Sequence, residues 1–416
     1  MIPELRQNFN ARFRPETFRA MLHSLDVVAR THVSFPLAET PCFFPKSLLD
    51  EMASIGAELT HRLVNDPAYL ARSLAAIPEP WRAAGQNAHP HFLTADFGFV
   101  RDSSGRLAPR LVEMQAFPSI FGFQWVLSEA YRSAFGLDSN LRCLLGGVDE
   151  SGFWKLLSRV IVAGHDPETV VLTDVDPLRQ KTLPDFNVTA DRLGIRIVDI
   201  AEIEPQDPRD GRPGHLPRLC YREGHRLIPI RRIYNRAIVD ELVSKNVQLR
   251  FDYRESFDVE WAGHPNWYFH VSKFSLPWLR HPAVPPAVFL DQWCRGEGRD
   301  RLPADRERWI LKPLYSFAGQ GIVFAPSDDV IAAIPAGMRS QYLLQERVAF
   351  VPIIETPVGP TQAEVRILYV WPDRGQLTPL LSLVRLGRGQ MMGVDHNRNQ
   401  TWVGASAAFY PSTSIA

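Results

Sequence analysis

Residues 309–325 read WILKPLYSFAGQGIVFA: an apolar strand carrying Lys312, a loop of small residues, then a second apolar strand. Glycines at 319 and 321 let backbone N–H groups approach phosphate oxygens closely, and Lys312 supplies the countercharge. The pattern suits a triphosphate, and it equally suits a plain hairpin whose glycines only satisfy turn geometry. It is not a P-loop, because the lysine precedes the glycines and no Gly-Lys-Ser/Thr follows.

Downstream the chain reads as helix, strand (QYLLQERV, 341–348), then two longer strands, AEVRILYVWP (363–372) and LTPLLSLVRLGRG (377–389), with turn residues between arms. This run is antiparallel in character. Upstream, between Glu168 and Ile238, strand and helix signals alternate: TVVLTDV (169–175), a helix ending at Leu193-Gly194, IRIVDI (195–200), a Pro-rich charged loop from Pro205 to Pro217, and RLIPIRRIYNR (226–236). Alternation of this kind predicts a small α/β layer with a mostly parallel sheet, and the loop reads as the most flexible connection. From Pro15 to Leu74 apolar residues recur at helical spacing, giving a helical lead-in, and Phe123 to Phe135 also reads as helix.

A second segment carries metal-type chemistry. HFLTADFGFVRDSSGRLAPRLVEMQAFPS (91–119) presents two apolar runs around the turn Asp102-Ser103-Ser104-Gly105, a hairpin with Asp96 on one arm and Glu113 on the other. Hard carboxylate oxygens of this type hold Mg²⁺ together with phosphate oxygens and water. Gln115, two residues past Glu113, shares its face and adds a neutral oxygen. Taken alone, the hairpin reads as readily as two surface carboxylates on ordinary strands.

Composition narrows the class. At 416 residues and 45% hydrophobic, the chain is long enough for two or three packed units. Its 46 basic residues balance 46 acidic ones, so no net field favours nucleic acid or an anionic membrane, and neither partner is expected. Lysine occurs only at positions 46, 155, 181, 245, 273 and 312, so a lysine inside a recognisable loop hints at a need for a compact ammonium. The four cysteines, at 42, 143, 220 and 294, are far apart, and the first residues lack the apolar core of a signal peptide. A soluble protein of the reducing cytoplasm is expected. His89, His91, His264, His270 and His396 lack ligand spacing, and the tryptophans at 261, 267 and 278 read as core.

The two segments together resemble the ATP-grasp superfamily, and their order resembles its circularly permuted branch of glutathionylspermidine synthase-like and glutathione synthetase-like proteins. Asp96, the Asp102–Gly105 turn, Glu113-Met114-Gln115 and Pro118 match the family's metal-binding strand, which here comes early in the chain instead of near the end of the domain. The resemblance implies a mixed α+β and α/β protein in which two α+β lobes grip ATP. It divides the chain into a helical region (1–88), a hairpin and helix of the second lobe (89–135), a pre-ATP-grasp α/β domain (165–262) and the ATP-grasp domain (263–416).

The same resemblance nominates Lys273 and Lys312, with the loop of Ser316, Gly319, Gln320 and Gly321, to cover the phosphates of ATP. Gln345, Glu346 and Val348 match the hinge that reads the adenine edge. Arg366 and Arg385, with Lys312, match the groups facing the transferred phosphate or acyl group. Asp96, Glu113 and Gln115 match the Mg²⁺ ligands, and the tail HNRNQTWVGASAAF (396–409) nominates Asn397 or Asn399. The implied activity is carboxylate–amine ligation through an acylphosphate, with a small-molecule acid and amine as substrates. Gln115 stands where the family usually has Asn, and Thr94 stands where many family ligases place an arginine.

Overall fold

The computed structural model describes residues 1–207, 216–316, 319–393, 397 and 399–412. The architecture mixes α and β structure around a large sheet. Its strands run in the order Cys42–Phe43, Gly404–Pro411, Thr378–Gly387, Gly359–Val370, Phe92–Arg101, Leu107–Gln115. All neighbours are antiparallel except the first pair. The hairpin of residues 92–115 thus pairs with a strand more than 240 residues later, so segments remote in sequence share one surface.

Period-two patterning gives this sheet two faces. Leu93, Ala95, Phe97 and Phe99, with Val365, Ile367 and Tyr369, pack against helix Lys46–Val64 through Leu49, Met52 and Leu59. The helix comes so close that a Cβ on Gly56 would lie 2.2 Å from the Tyr369 hydroxyl, which donates to the Ala53 carbonyl at 3.0 Å. On the opposite face the apolar half (Phe92, Leu368, Val370, Leu383) meets helix Phe121–Phe135, and the other half carries charge. The lead-in helices start as their sequence dictates: Pro3, Pro15 and Pro67 occupy first-turn positions, where a missing N–H is harmless. Asp66 caps the last of them, accepting from Ala68 N at 2.9 Å.

The α/β layer is a parallel sheet ordered Glu260–Ala262, Arg232–Asn235, Val170–Asp174, Arg196–Asp199. Helix Leu183–Leu193 ends on left-handed Gly194, as the sequence predicts. Residues 226–236, read as one strand, divide in two. Pro229 lacks an N–H for the ladder and ends Arg226–Pro229, which joins a small antiparallel sheet with Arg218–Glu223, whereas Arg232–Asn235 enters the parallel layer. Of the Pro205–Pro217 connection, 208–215 lie outside the described residues.

The C-terminal antiparallel run also divides. Trp309–Pro313, Val323–Phe324 and Tyr342–Glu346 form a four-stranded sheet with Ala287–Phe289, while the later strands belong to the large sheet. Pairing across this gap cannot be read from alternation alone, because the period is the same in both sheets.

Candidate functional site

The charged half of the large sheet is a lateral ladder. Arg366 is the register partner of Asp96, Asp96 of Glu113, and Glu364 of Arg385. Side chains of alternate residues share a face, so Glu364 and Arg366 stand beside Asp96 and Arg385. One irregularity aims the last rung: Val112 is an extra residue between the pairs Asp96–Glu113 and Phe97–Leu111, a bulge of the kind that bends a strand and redirects its side chains.

Over this ladder the four-stranded sheet closes a cleft of about 400 Å³. Its walls include Glu113, Gln115, Lys273, Lys312, Ser316, Gly319, Gln345, Glu346, Val348, Glu364, Arg366 and Arg385. Lys273 donates to the Ser316 carbonyl and lies 3.7 Å from Glu113. Lys312 is 5% exposed and donates to the Val112 carbonyl at 3.3 Å. Burial pulls its ammonium down to about 8, although the nearby Glu113 works the other way. Glu364 is pushed up to about 7 by burial, against the pull of Arg385 at 2.7 Å. Arg385 is held above the ordinary guanidinium range: burial pulls it down, and Glu364, Asp96 and Glu113 outweigh that pull.

Not every expected residue reaches the cleft. Gln320 and Gly321 are exposed, and Phe317 and Ala318 of the same loop lie outside the described residues. Glu346 does line the cleft, with its carboxylate tied to Arg308 and 3.5 Å from Arg110. Between the two nominated asparagines, Asn397 is buried and donates to the carbonyls of Met391 and Gly393, at 3.2 and 3.3 Å, while Asn399 is exposed. His396 lies outside the described residues.

Asp96 stands apart from the other two expected metal ligands. It is 1% exposed, it is not among the cleft walls, and both its oxygens are bonded by arginines. Among the described residues no group of three or more His, Cys, Asp or Glu is placed to hold a metal ion. What faces the cleft is Glu113 with the amide of Gln115, whose Nε2 donates to Glu113 at 3.2 Å. One carboxylate and one amide beside phosphate oxygens and water fit the hydrated coordination Mg²⁺ prefers.

Among the described residues, four buried polar atoms on the cleft walls have no protein partner: Gln345 Nε2, Ser316 Oγ, Arg385 Nε and Arg236 Nε. An unmade hydrogen bond on a buried donor costs roughly 1–3 kcal/mol, so the cleft is chemically incomplete as it stands and fits a polar, anionic occupant.

Two further groups were not anticipated from sequence. Glu364 is one; its signal was the Glu-x-Arg spacing that places it beside Arg366 on one strand face. Arg236 is the other, at the carboxyl end of a parallel strand, where open α/β sheets bind ligands. It is 5% exposed, donates to the carbonyls of Pro118 and Ser119, and lies over the Phe117 ring at 5.6 Å. Asp185 sits 3.8 Å away, its carboxyl pushed up to about 6 by burial against the pull of Arg236.

No family model matches the chain, and no curated protein matches its sequence. Its fold is similar to that of a glutathione synthetase-like effector from Globodera pallida solved in its apo form, with a TM-score of 0.57. The match covers 96% of this chain and 98% of that one at 12% identity. The class this likeness defines is a glutathione synthetase-like fold. Among the described residues no helix is long and apolar enough to cross a membrane.

Proposed function

We propose that the cleft binds ATP with Mg²⁺ and that the protein is an ATP-grasp carboxylate–amine ligase of the cytoplasm. In this reading 89–135 and 263–416 together form the two gripping lobes, 165–262 is the pre-ATP-grasp domain, and 1–88 buttresses the large sheet. The observation that carries it is the convergence of Lys273, Lys312, Arg366 and Arg385 around Glu113, from four separated segments, in a cleft with unpartnered buried donors.

The chemistry follows from charge placement. Lys273 and Lys312 face the β- and γ-phosphates, and Glu113 with Gln115 would hold the metal, which neutralises phosphate charge when bound. Gln345, Glu346 and Val348 line the adenine end. The γ-phosphoryl group passes to a substrate carboxylate, and an amine then displaces phosphate to leave an amide. Arg385 and Arg366 lie where negative charge accumulates, fixed in advance by Glu364 and Asp96, so little reorganisation accompanies transfer. Ser316 and Gly319, on the cleft wall, would help cover the phosphates and exclude water, protecting the acylphosphate from hydrolysis.

A second reading is nucleotide binding without ligation, favoured by the neutral, buried Thr94 beside Asp96. A third is phosphoryl transfer without an amide. The experiment that separates them is ADP release from Mg·ATP with acids and amines supplied singly and together. Release that needs both supports the ligase, release with one alone supports the transferase, and nucleotide binding with no release under any combination supports the non-catalytic reading.

A further inference from the structure

The position of Asp96 on the metal-facing hairpin conceals a different use. Arg366 grips it with two parallel hydrogen bonds, Nε to Oδ1 at 2.6 Å and Nη2 to Oδ2 at 2.7 Å, and Arg385 Nη2 donates to the same Oδ2. A bidentate grip fixes the plane of a guanidinium as well as its place. Beyond Asp96 the two arginines diverge. Arg366 Nη1 is 3.5 Å from Ser119 Oγ and its Nη2 is 3.9 Å from Glu113, so it spans from the metal-facing carboxylate to the end of the cleft where Ser119 and Arg236 meet. Arg385 turns to Glu364 and keeps a buried, unpartnered Nε.

We infer that Asp96 is a positioning residue: a buried anchor holding Arg366 and Arg385 as a two-arginine clamp for the acyl phosphate, and not a ligand of the metal. The inference rests on the ATP-dependent reading of the cleft. Two planar guanidinium groups set by one anion match an acyl phosphate, whose carbonyl and phosphoryl oxygens lie side by side. Three charge-assisted hydrogen bonds occupy three of the carboxylate's roughly four acceptor positions, and Asp96 is buried behind the cleft wall, so little of it is left to face a metal. Glu113, which meets its nearest cations only at 3.7 and 3.9 Å, is under no such constraint.

The test uses the full chain, ADP, Mn²⁺ as a spectroscopic metal and acetyl phosphate as the acyl phosphate probe. Bound Mn²⁺ is read by electron paramagnetic resonance of the ADP complex, and acetyl phosphate binding to the Mg·ADP complex by calorimetry. Asp96→Asn is expected to keep Mn²⁺ affinity within about twofold and to weaken acetyl phosphate about tenfold or more. Glu113→Gln is expected to do the reverse. Arg366→Gln, at a less buried side chain, repeats the clamp result if Asp96→Asn does not fold. Loss of Mn²⁺ in Asp96→Asn overturns the inference. So does acetyl phosphate binding that neither clamp variant changes, or its absence from a nucleotide-loaded wild type. Failure of the wild type to bind nucleotide at all instead overturns the reading beneath it.

Discussion

The Lys312 ammonium donates to the carbonyl oxygen of Val112, a residue 200 positions earlier, at 3.3 Å. Val112 is the bulged residue of the hairpin, so its carbonyl leaves the regular ladder and points at the four-stranded sheet. The contact joins the two sheets at the cleft and holds a buried cation near Glu113.

If the cleft binds ATP as proposed, its affinity is expected to depend on pH through Lys312. Its ammonium titrates near pH 8 in the folded protein, below its ordinary value of 10.5. It is therefore charged at pH 7 and largely neutral at pH 9.5. ATP affinity is expected to fall on the order of tenfold across that interval, whereas Lys312→Met binds weakly with a flatter profile. The stability effect has the opposite sense. Between about pH 8 and 10.5 the unfolded chain holds a proton the folded one has released, so this group's contribution to stability rises with pH through that window. Calorimetric titration and urea unfolding across the range check both signs.

Gly321 tests the loop. Its φ is +71°, and a Cβ there would lie 2.8 Å from Pro313 Cγ. Gly321→Ala is expected to destabilise the protein by about 1–2 kcal/mol, the penalty for a left-handed residue with a side chain, and to weaken ATP several-fold. Thermal unfolding with and without nucleotide measures both effects.

Much of this was legible in the sequence because the chemistry sits on regular elements. The 92–115 hairpin shows as two apolar runs about an Asp-Ser-Ser-Gly turn, and helix 183–193 shows by its terminal glycine. Pairing between sheets was not legible: strands 342–346 and 359–370 look alike in alternation, and only tertiary packing sends them to different sheets. The arginine contacts of Asp96 were hidden for a related reason. Register with Glu113 is written in the hairpin, but the arginines that bind its oxygens come from strands about 270 and 290 residues away. Glu364 shows in the sequence only as Glu-x-Arg beside Arg366; its pairing with Arg385 depends on the register of two strands.

Glu364 gives a second pH signature. Its carboxyl is raised to about 7 from an ordinary 4.5, so between those values the folded protein holds a proton the unfolded chain has lost. Stability from this group is fullest below pH 4.5 and falls as pH rises through 7. Glu364→Gln should remove that component, changing the difference in unfolding free energy between pH 4.5 and 7.5 by on the order of 1–3 kcal/mol. Urea midpoints of variant and wild type at the two pH values decide it; equal slopes sink the idea.

The central claim is that a hairpin near residue 100 and a loop near residue 315 make one nucleotide site. Isothermal titration of the protein with ATP, with and without Mg²⁺, against Lys312→Ala and Glu113→Ala tests it most directly. The account predicts Mg²⁺-dependent binding that each substitution weakens at least tenfold, about 1.4 kcal/mol or more. A folded wild type that binds no ATP, or binding that neither substitution changes, would contradict it.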